Sequence, residues 1–299
     1  VDALRTLGVE VEVLTRERLA GAHFPLAIRE DDVVHLHSLS LAELALELTR
    51  RHQLPLLYTA HSVVEHEVGA TSWSALQQRV FDEAAHVIFV SHAEHALLPS
   101  IGDRAHVLHN GVPAPPSRHD YDEHGPIVFA GRFTRTKGFD RVLDLVESTP
   151  FEFVLAGGHG DRELHERASA LASPRCRLAG WIAQNAIERL FAAASLVVMP
   201  SRYEPFGMVA IEAMRAGAPL LASNTGGLAE IVTPESGGRI VDDDAWRDAC
   251  AQLLADPQAR RAMHARGPRY VAEHFDSRRL AAELLPLLHT AAACRRCST

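Results

Sequence analysis

Glu204 and Glu212 stand eight residues apart and bracket a stretch suited to an anion, in the run S-R-Y-E-P-F-G-M-V-A-I-E-A-M (201–214). Pro205 pre-sets a helix start. The helical period runs over 207–215 and stops at Gly217, a residue suited to the position just past a helix end. The amides of Phe206, Gly207 and Met208 fall where a helix has no internal acceptor for them, so that start attracts negative charge. Gly207 has no Cβ to hold a ligand away from the backbone. Eight helical residues span about 12 Å, wider than the ~5–9.5 Å of a glycosidase carboxylate pair. The spacing suits two hydroxyl-bearing ends of one long ligand with phosphate between them, the layout of ribose, diphosphate and sugar. Glu212 lies among Ile211, Ala213 and Met214, and a carboxylate in apolar company needs a partner.

Matching cations are found in G-R-F-T-R-T-K-G (131–138). Of 30 Lys and Arg residues, Lys137 is the only lysine. A solvated basic loop is the ordinary reading of Arg132, Arg135 and Lys137 together, but surface cations in this chain are arginines. A lysine brings a compact ammonium that meets phosphate as a point charge.

These residues require a scaffold that sets them at one edge. Apolar runs at 9–15, 33–37, 55–61, 86–91 and 105–111 read as strands, with helical periods at 41–52 and 74–85. A Pro-rich, charged stretch at 111–125 has neither period and reads as a linker. The alternation resumes with strands at 126–131, 151–158, 176–182, 195–201, 218–223 and 237–242. Helices lie between them at 139–148, 161–171, 185–194 and 207–217, and the chain is helical from about Ala245. Short apolar strands alternating with amphipathic helices specify parallel sheets covered on both faces. The fold class is therefore α/β, with two doubly wound Rossmann-like domains facing a cleft. We place the first at 1–117 and the second at 118–276, with 277–299 as a helix and tail packing back on the first. In such sheets ligands bind beyond the carboxyl ends of the strands, where both motifs fall.

Composition narrows the partners. Net charge is −8 and hydrophobic content 47%, a balance without the basic footprint of nucleic-acid binding. No apolar run is long enough for a transmembrane helix. Of the cysteines Cys176, Cys250, Cys294 and Cys297, only the last two are closely spaced, and one pair does not make the four ligands of a structural zinc site. Ordinary reduced thiols fit a cytoplasmic chain. V-D-D-D (241–244) precedes a helix, where Asp243 or Asp244 is expected to cap rather than bind metal.

Taken together, E-P-F-G-M-V-A-I-E-A-M (204–214) and G-R-F-T-R-T-K-G (131–138) resemble the E-x7-E signature and the phosphate loop of glycosyltransferase family 4, retaining enzymes of the GT-B fold. Y-T-A-H (58–61), V-S-H (90–92), H-N-G-V (109–112), A-G-G-H-G (156–160) and T-G-G-L-A-E-I-V (225–232) follow the family's order. The family pattern carries a strand, a Gly-rich loop and a helix ahead of the segment equivalent to residues 1–15. The resemblance implies sugar transfer from a nucleotide-diphosphate-sugar donor to an acceptor hydroxyl with retention, needing no metal and no cofactor. Arg132 and Lys137 would hold the diphosphate, Glu212 the ribose and Glu204 the donor sugar, helped by the amides of Phe206–Met208. His61 would lie near the reacting carbon, and Gly226 and Gly227 would let the chain pass close to the donor. By themselves these two glycines read as a simple turn. A soluble small molecule or glycan is the expected acceptor.

Other readings lie on the same fold: a sugar phosphorylase, a nucleotide-sugar epimerase, or a binding module without catalysis. A nicotinamide oxidoreductase is suggested by A-G-G-H-G-D, but the run lacks the G-x-G-x-x-G spacing.

Overall fold

The computed structural model describes residues 1–15, 28–69, 71–114 and 121–294. Residues 115–120 of the linker stretch 111–125 and the tail holding Cys297 lie outside the described residues. The chain divides into two compact units, Val1–Gly111 with Ser277–Thr299, and Val112–Asp276.

The first unit is built on a four-stranded parallel sheet in the order β1-β2-β3-β4, with β1 Val34–Leu36, β2 Leu56–Ala60, β3 His86–Phe89 and β4 Ala105–Val107. Every residue of β2, L-L-Y-T-A, is buried. Such a strand cannot present a polar face, and helices cover both sides of it. The helix Ala42–His52 buries Ala42, Ala45, Leu46 and Thr49, a 3.6-period stripe against the sheet. Gln53 ends it in the left-handed region at φ 53°. The helix Ser72–Glu83 starts with a capping box between Thr71 and Ser74 and buries Val80 and Phe81. Two short helices, Val64–Val68 and His92–Ala96, were not foreseen from periodicity. Five residues are too few to show it.

The expected strand at 9–15 does not form: these residues join no ladder. Glu10 and Glu12 alternate with the valines and stay exposed. Local bonds engage the backbone instead, Val9 N donating to Leu4 O at 3.2 Å and Arg5 Nη2 to Val11 O at 3.0 Å. β-branched alternation makes a strand only where a neighbour takes its ladder bonds.

The second unit carries a six-stranded parallel sheet in the order β10-β9-β8-β5-β6-β7. Its strands are β5 Ile127–Phe133, β6 Phe153–Gly160, β7 Cys176–Gly180, β8 Leu196–Met199, β9 Leu220–Ser223 and β10 Gly238–Val241. The order reverses direction at β5–β8, where such sheets place their ligands. The core joins Phe129, Phe133, Phe139, Phe153 and Leu155 to residues of the helices Phe139–Ser148 and Trp246–Leu254. Phe133 and Phe139 stack with ring centroids 3.9 Å apart, which fixes the two ends of the 133–139 loop to each other.

The expected cap at Asp243 or Asp244 is not made. The helix Trp246–Leu254 starts after Ala245 with no side-chain cap, and Asp243 pairs instead with Arg141 at 2.7 Å. An ion pair with a largely buried guanidinium outcompetes the cap for that carboxylate. Cys176 and Cys250 are buried free thiols. Among the described residues no helix is long and apolar enough to cross a membrane.

Candidate active site

The site is assembled at the carboxyl edge of the second sheet, from the loops after β5 and β8. β5 runs on to Phe133, two residues further than its apolar stretch, so Gly131 and Arg132 are its last turns of pleat rather than a loop. The register against β6 shifts between Arg132 and Phe133, a bulge that re-aims the end of the strand. The loop then closes tightly. Thr134 N donates to Arg132 O at 2.9 Å, Gly138 N to Arg135 O at 3.0 Å, and Lys137 N to Thr134 Oγ1 at 3.3 Å. Gly138 takes φ 67° at the start of the helix Phe139–Ser148. A Cβ there would fall 1.8 Å from Pro200 O, so the loop after β5 reaches the loop after β8 only because this residue is glycine.

Several further bonds latch the two loops together. Arg202 N donates to Thr136 O at 2.8 Å. The Arg202 guanidinium grips Asp140 through both carboxylate oxygens, at 2.7 and 2.8 Å. Burial alone would raise the Asp140 carboxyl, but the Arg202 hydrogen bonds and charge, with Arg135 nearby, hold it below its ordinary value.

On this frame the two residues assigned above to different parts of a ligand meet each other. Lys137 Nζ donates to Glu204 Oε2 at 2.8 Å, and Ser201 Oγ donates to the same oxygen at 3.1 Å. Both side chains are largely covered, 20% and 11% exposed. Glu204 is thus a carboxylate with one oxygen engaged, beside an ammonium whose remaining hydrogens are available for an anion. Arg132, on the same strand end, is exposed.

The helix Met208–Arg215 begins at Gly207, with φ 116°. A Cβ on Gly207 would meet Leu228 Cδ2 at 2.8 Å and Ile231 Cδ1 at 3.0 Å. Its glycine is therefore required by backbone angle and by packing on the next helix, rather than by ligand approach alone. The Phe206 side chain is buried, its ring edge-on to Phe275 at 6.0 Å, so only its backbone can serve a ligand. Met208 is 37% exposed.

Gly226 and Gly227 are not a simple turn. They open a helix, Gly226–Ile231, pressed against the backbone of 204–206. Gly227 N donates to Glu204 O at 3.0 Å. A Cβ on Gly226 would lie 2.1 Å from Glu204 O, and one on Gly227 2.5 Å from Phe206 Cα. The two glycines position Glu204 from behind.

Glu212 lies one helix face further on. Gln184 Nε2, from the start of the helix Gln184–Ala192, donates to its Oε1 at 3.0 Å. Burial pushes the Glu212 carboxyl above its ordinary value, partly opposed by the Gln184 hydrogen bond and by Arg215, and reinforced by Glu188. Arg215 is buried, pairs with Glu188 and donates to Ala114 O at 3.2 Å. Sequence reading did not single out Ser201, Gln184, Arg202 or Asp140. Ser201 had a local signal, three residues before Glu204, whereas Gln184 reaches Glu212 only through the fold.

His61 belongs to the first unit, directly after β2, where its Nε2 lies 3.1 Å from His37 Nδ1. Among the described residues no group of three or more His, Cys, Asp or Glu side chains is placed to hold a metal ion.

Two parallel-sheet Rossmann-like units are the architecture of GT-B glycosyltransferases. The chain belongs to the family described as glycosyl transferases group 1, whose model matches residues 117–270, while that of glycosyltransferase family 4 matches residues 20–114. It is 32% identical to a D-inositol 3-phosphate glycosyltransferase of Xylanimonas cellulosilytica, over 85% of this chain and 70% of that protein. Among solved structures it is similar to sucrose-phosphate synthase from Thermosynechococcus elongatus, with TM-score 0.75 and 26% identity, covering 88% of this chain and 74% of that one. Anabaena HepE in complex with UDP-glucose shares the fold at TM-score 0.74 and 20% identity, covering 86% and 78% of the two chains.

Proposed function

We propose that this glycosyltransferase moves a sugar from a nucleotide-diphosphate-sugar donor to an acceptor hydroxyl, with retention of anomeric configuration and without a metal ion. The Lys137–Glu204 pair beside the start of the helix Met208–Arg215 carries the reading. An ammonium, an exposed guanidinium at Arg132 and a helix start provide three sources of positive potential at one edge. Together they can take the charge that builds on a departing diphosphate. Glu204, held from behind by Gly226 and Gly227, then accepts hydrogen bonds from hydroxyls of the donor sugar. Glu212 accepts from the ribose, with Gln184 orienting its carboxylate.

In this reading the acceptor hydroxyl attacks from the face the nucleotide leaves, and the leaving phosphate takes its proton. The protein positions the reactants and stabilises charge rather than supplying a nucleophile. His61 serves the donor sugar near the reacting carbon. Similarity to a D-inositol 3-phosphate glycosyltransferase and to sucrose-phosphate synthase supports glycosyl transfer, and the UDP-glucose held by HepE supports a nucleotide-sugar donor. A soluble small molecule or glycan is the acceptor proposed. Buried thiols at Cys176 and Cys250, rather than a disulfide, support a cytoplasmic setting.

A thermal-shift screen with UDP, GDP, ADP and dTDP, and then their sugars, tests the donor class. Ligand at a hundred times its Kd stabilises by about 2.7 kcal/mol. With the donor so found, proton NMR of the product reads the anomeric configuration. Inversion would refute retention, and donor turnover only with free phosphate, or epimerised donor without an acceptor, would replace the transferase reading.

A further inference from the structure

His35, His37 and His61 line the carboxyl edge of β1 and β2 in the first unit. His35 Nε2 lies 2.8 Å from Thr59 Oγ1, and His37 Nδ1 lies 3.1 Å from His61 Nε2. The His37 ring neighbours both others, with centroids 4.1 Å apart and planes tilted by 41° for His35 and His37, and 5.4 Å and 28° for His37 and His61. His35 is anchored by the threonine hydroxyl, and His37 contacts both His35 and His61.

The chemistry of such a pair is restrictive. Burial, reinforced by the two neighbouring rings, lowers the His35 pKa to about 3, and burial lowers those of His37 and His61 as well. Two neutral imidazoles share a single hydrogen bond only if one gives a proton and the other a lone pair, so their tautomers are complementary. The bond occupies His61 Nε2. It leaves Nδ1 as the ring nitrogen with no protein partner among the described residues. A ring held through Nε2 presents Nδ1 in one direction, and the shared bond sets the state of that nitrogen: protonated if Nε2 accepts, a lone pair if Nε2 donates.

We propose that His37 is a positioning residue which, by engaging His61 Nε2, couples the tautomer of His61 to its own and reserves Nδ1 for the sugar substrate. This inference rests on the role given to His61 above. His35 completes the device by fixing the plane of His37. Both rings stand within the first unit, so the pair depends on no group of the second.

The experiment uses the full chain. His37→Phe keeps a flat ring against His35 and removes the hydrogen bond. His37→Asn keeps a polar nitrogen near the place of Nδ1. Nitrogen-15 shifts of the His61 ring report its tautomer, and steady-state transfer reports kcat and KM. The expected result for His37→Phe is a changed tautomer signature at His61, with kcat lowered about tenfold, the scale of one lost hydrogen bond, and donor KM unchanged. His37→Asn restores both. Unchanged His61 shifts in His37→Phe would overturn the proposal, as would a tautomer change that leaves kcat at the wild-type value. A parallel His61→Phe variant with full transfer would instead remove the role of His61 itself, while the nitrogen shifts still decide whether His37 sets its tautomer.

Discussion

Lys137 Nζ donates to Glu204 Oε2 at 2.8 Å, joining the loop after β5 to the loop after β8 by an ion pair between residues 67 apart in the chain. While it stands, the carboxylate is half engaged and the ammonium is held at the mouth of the sheet. In the proposed reading, an arriving phosphate meets an ammonium with hydrogens to share, and Glu204 keeps Ser201 as a donor.

Removing either member is expected to lower transfer by about 10²–10³, the usual worth of one preorganised charge-stabilising group. Lys137→Ala and Glu204→Ala are both expected to melt cooperatively with a folded far-UV spectrum. Normal turnover by folded Lys137→Ala protein would remove the lysine from the diphosphate.

Lys137→Arg asks whether charge alone suffices. The substituted guanidinium keeps the charge but brings a planar fork where a compact ammonium sat. The loop cannot yield to it, because Gly138 already lies against Pro200 O. Transfer is expected to fall more than about tenfold, as befits a site where the two cations are not interchangeable. Full activity in a kcat/KM measurement would show that any cation serves.

Glycine behind the carboxylate gives a stability test with an internal control. Gly226 has φ 49° and Gly180 φ 64°, but only at Gly226 does a Cβ meet backbone, 2.1 Å from Glu204 O, while Gly180 has open space. Gly180→Ala is expected to cost about 1–2 kcal/mol, the left-handed penalty alone. Gly226→Ala is expected to cost more in urea unfolding and to lower transfer as Glu204 shifts. Equal losses for the two would mean that the contact with Glu204 carries no energy.

Glu212 predicts a pH dependence. Its carboxyl is raised in the folded chain above the ordinary 4.5, so the native state binds a proton there more readily than the unfolded state does. Its contribution to stability is present below that value and is lost as pH rises through the folded pKa. Glu212→Gln removes this loss. The variant is expected to gain stability relative to the parent between acid and neutral pH, while its affinity for nucleotide falls. Denaturant midpoints for both proteins across that range check the sign, and a parallel pair of curves would refute it.

Asp140 has the opposite sign. Its carboxyl is lowered below 3.8, so its stabilisation is present above that value and is lost as pH falls through the folded pKa. Asp140→Asn breaks the Arg202 fork. Because that guanidinium is 41% exposed, about 1 kcal/mol is the expected cost in denaturant unfolding, discounted for screening. Loosening of the 200–204 loop should also raise the donor KM, whereas an unchanged KM would mean that the latch does not reach the site.

Sequence by itself determined the two α/β halves, because parallel strands buried on both faces must be continuous apolar runs, as L-L-Y-T-A and L-V-V-M are. It also placed Lys137, Glu204, Glu212 and the start of the helix Met208–Arg215, since strand ends, Pro205 and Gly217 are local signals. The strand at 9–15 failed because ladder bonds depend on a neighbour that a local pattern does not specify. The pairings were decided only by tertiary structure: Lys137 with Glu204, Gln184 with Glu212, Asp140 with Arg202, His37 with His61. Each joins segments separated along the chain, and only the sheet order and the close loop contacts that glycine permits bring them within hydrogen-bond reach. Side-chain type gave the chemistry available to each residue, while the fold chose its partner.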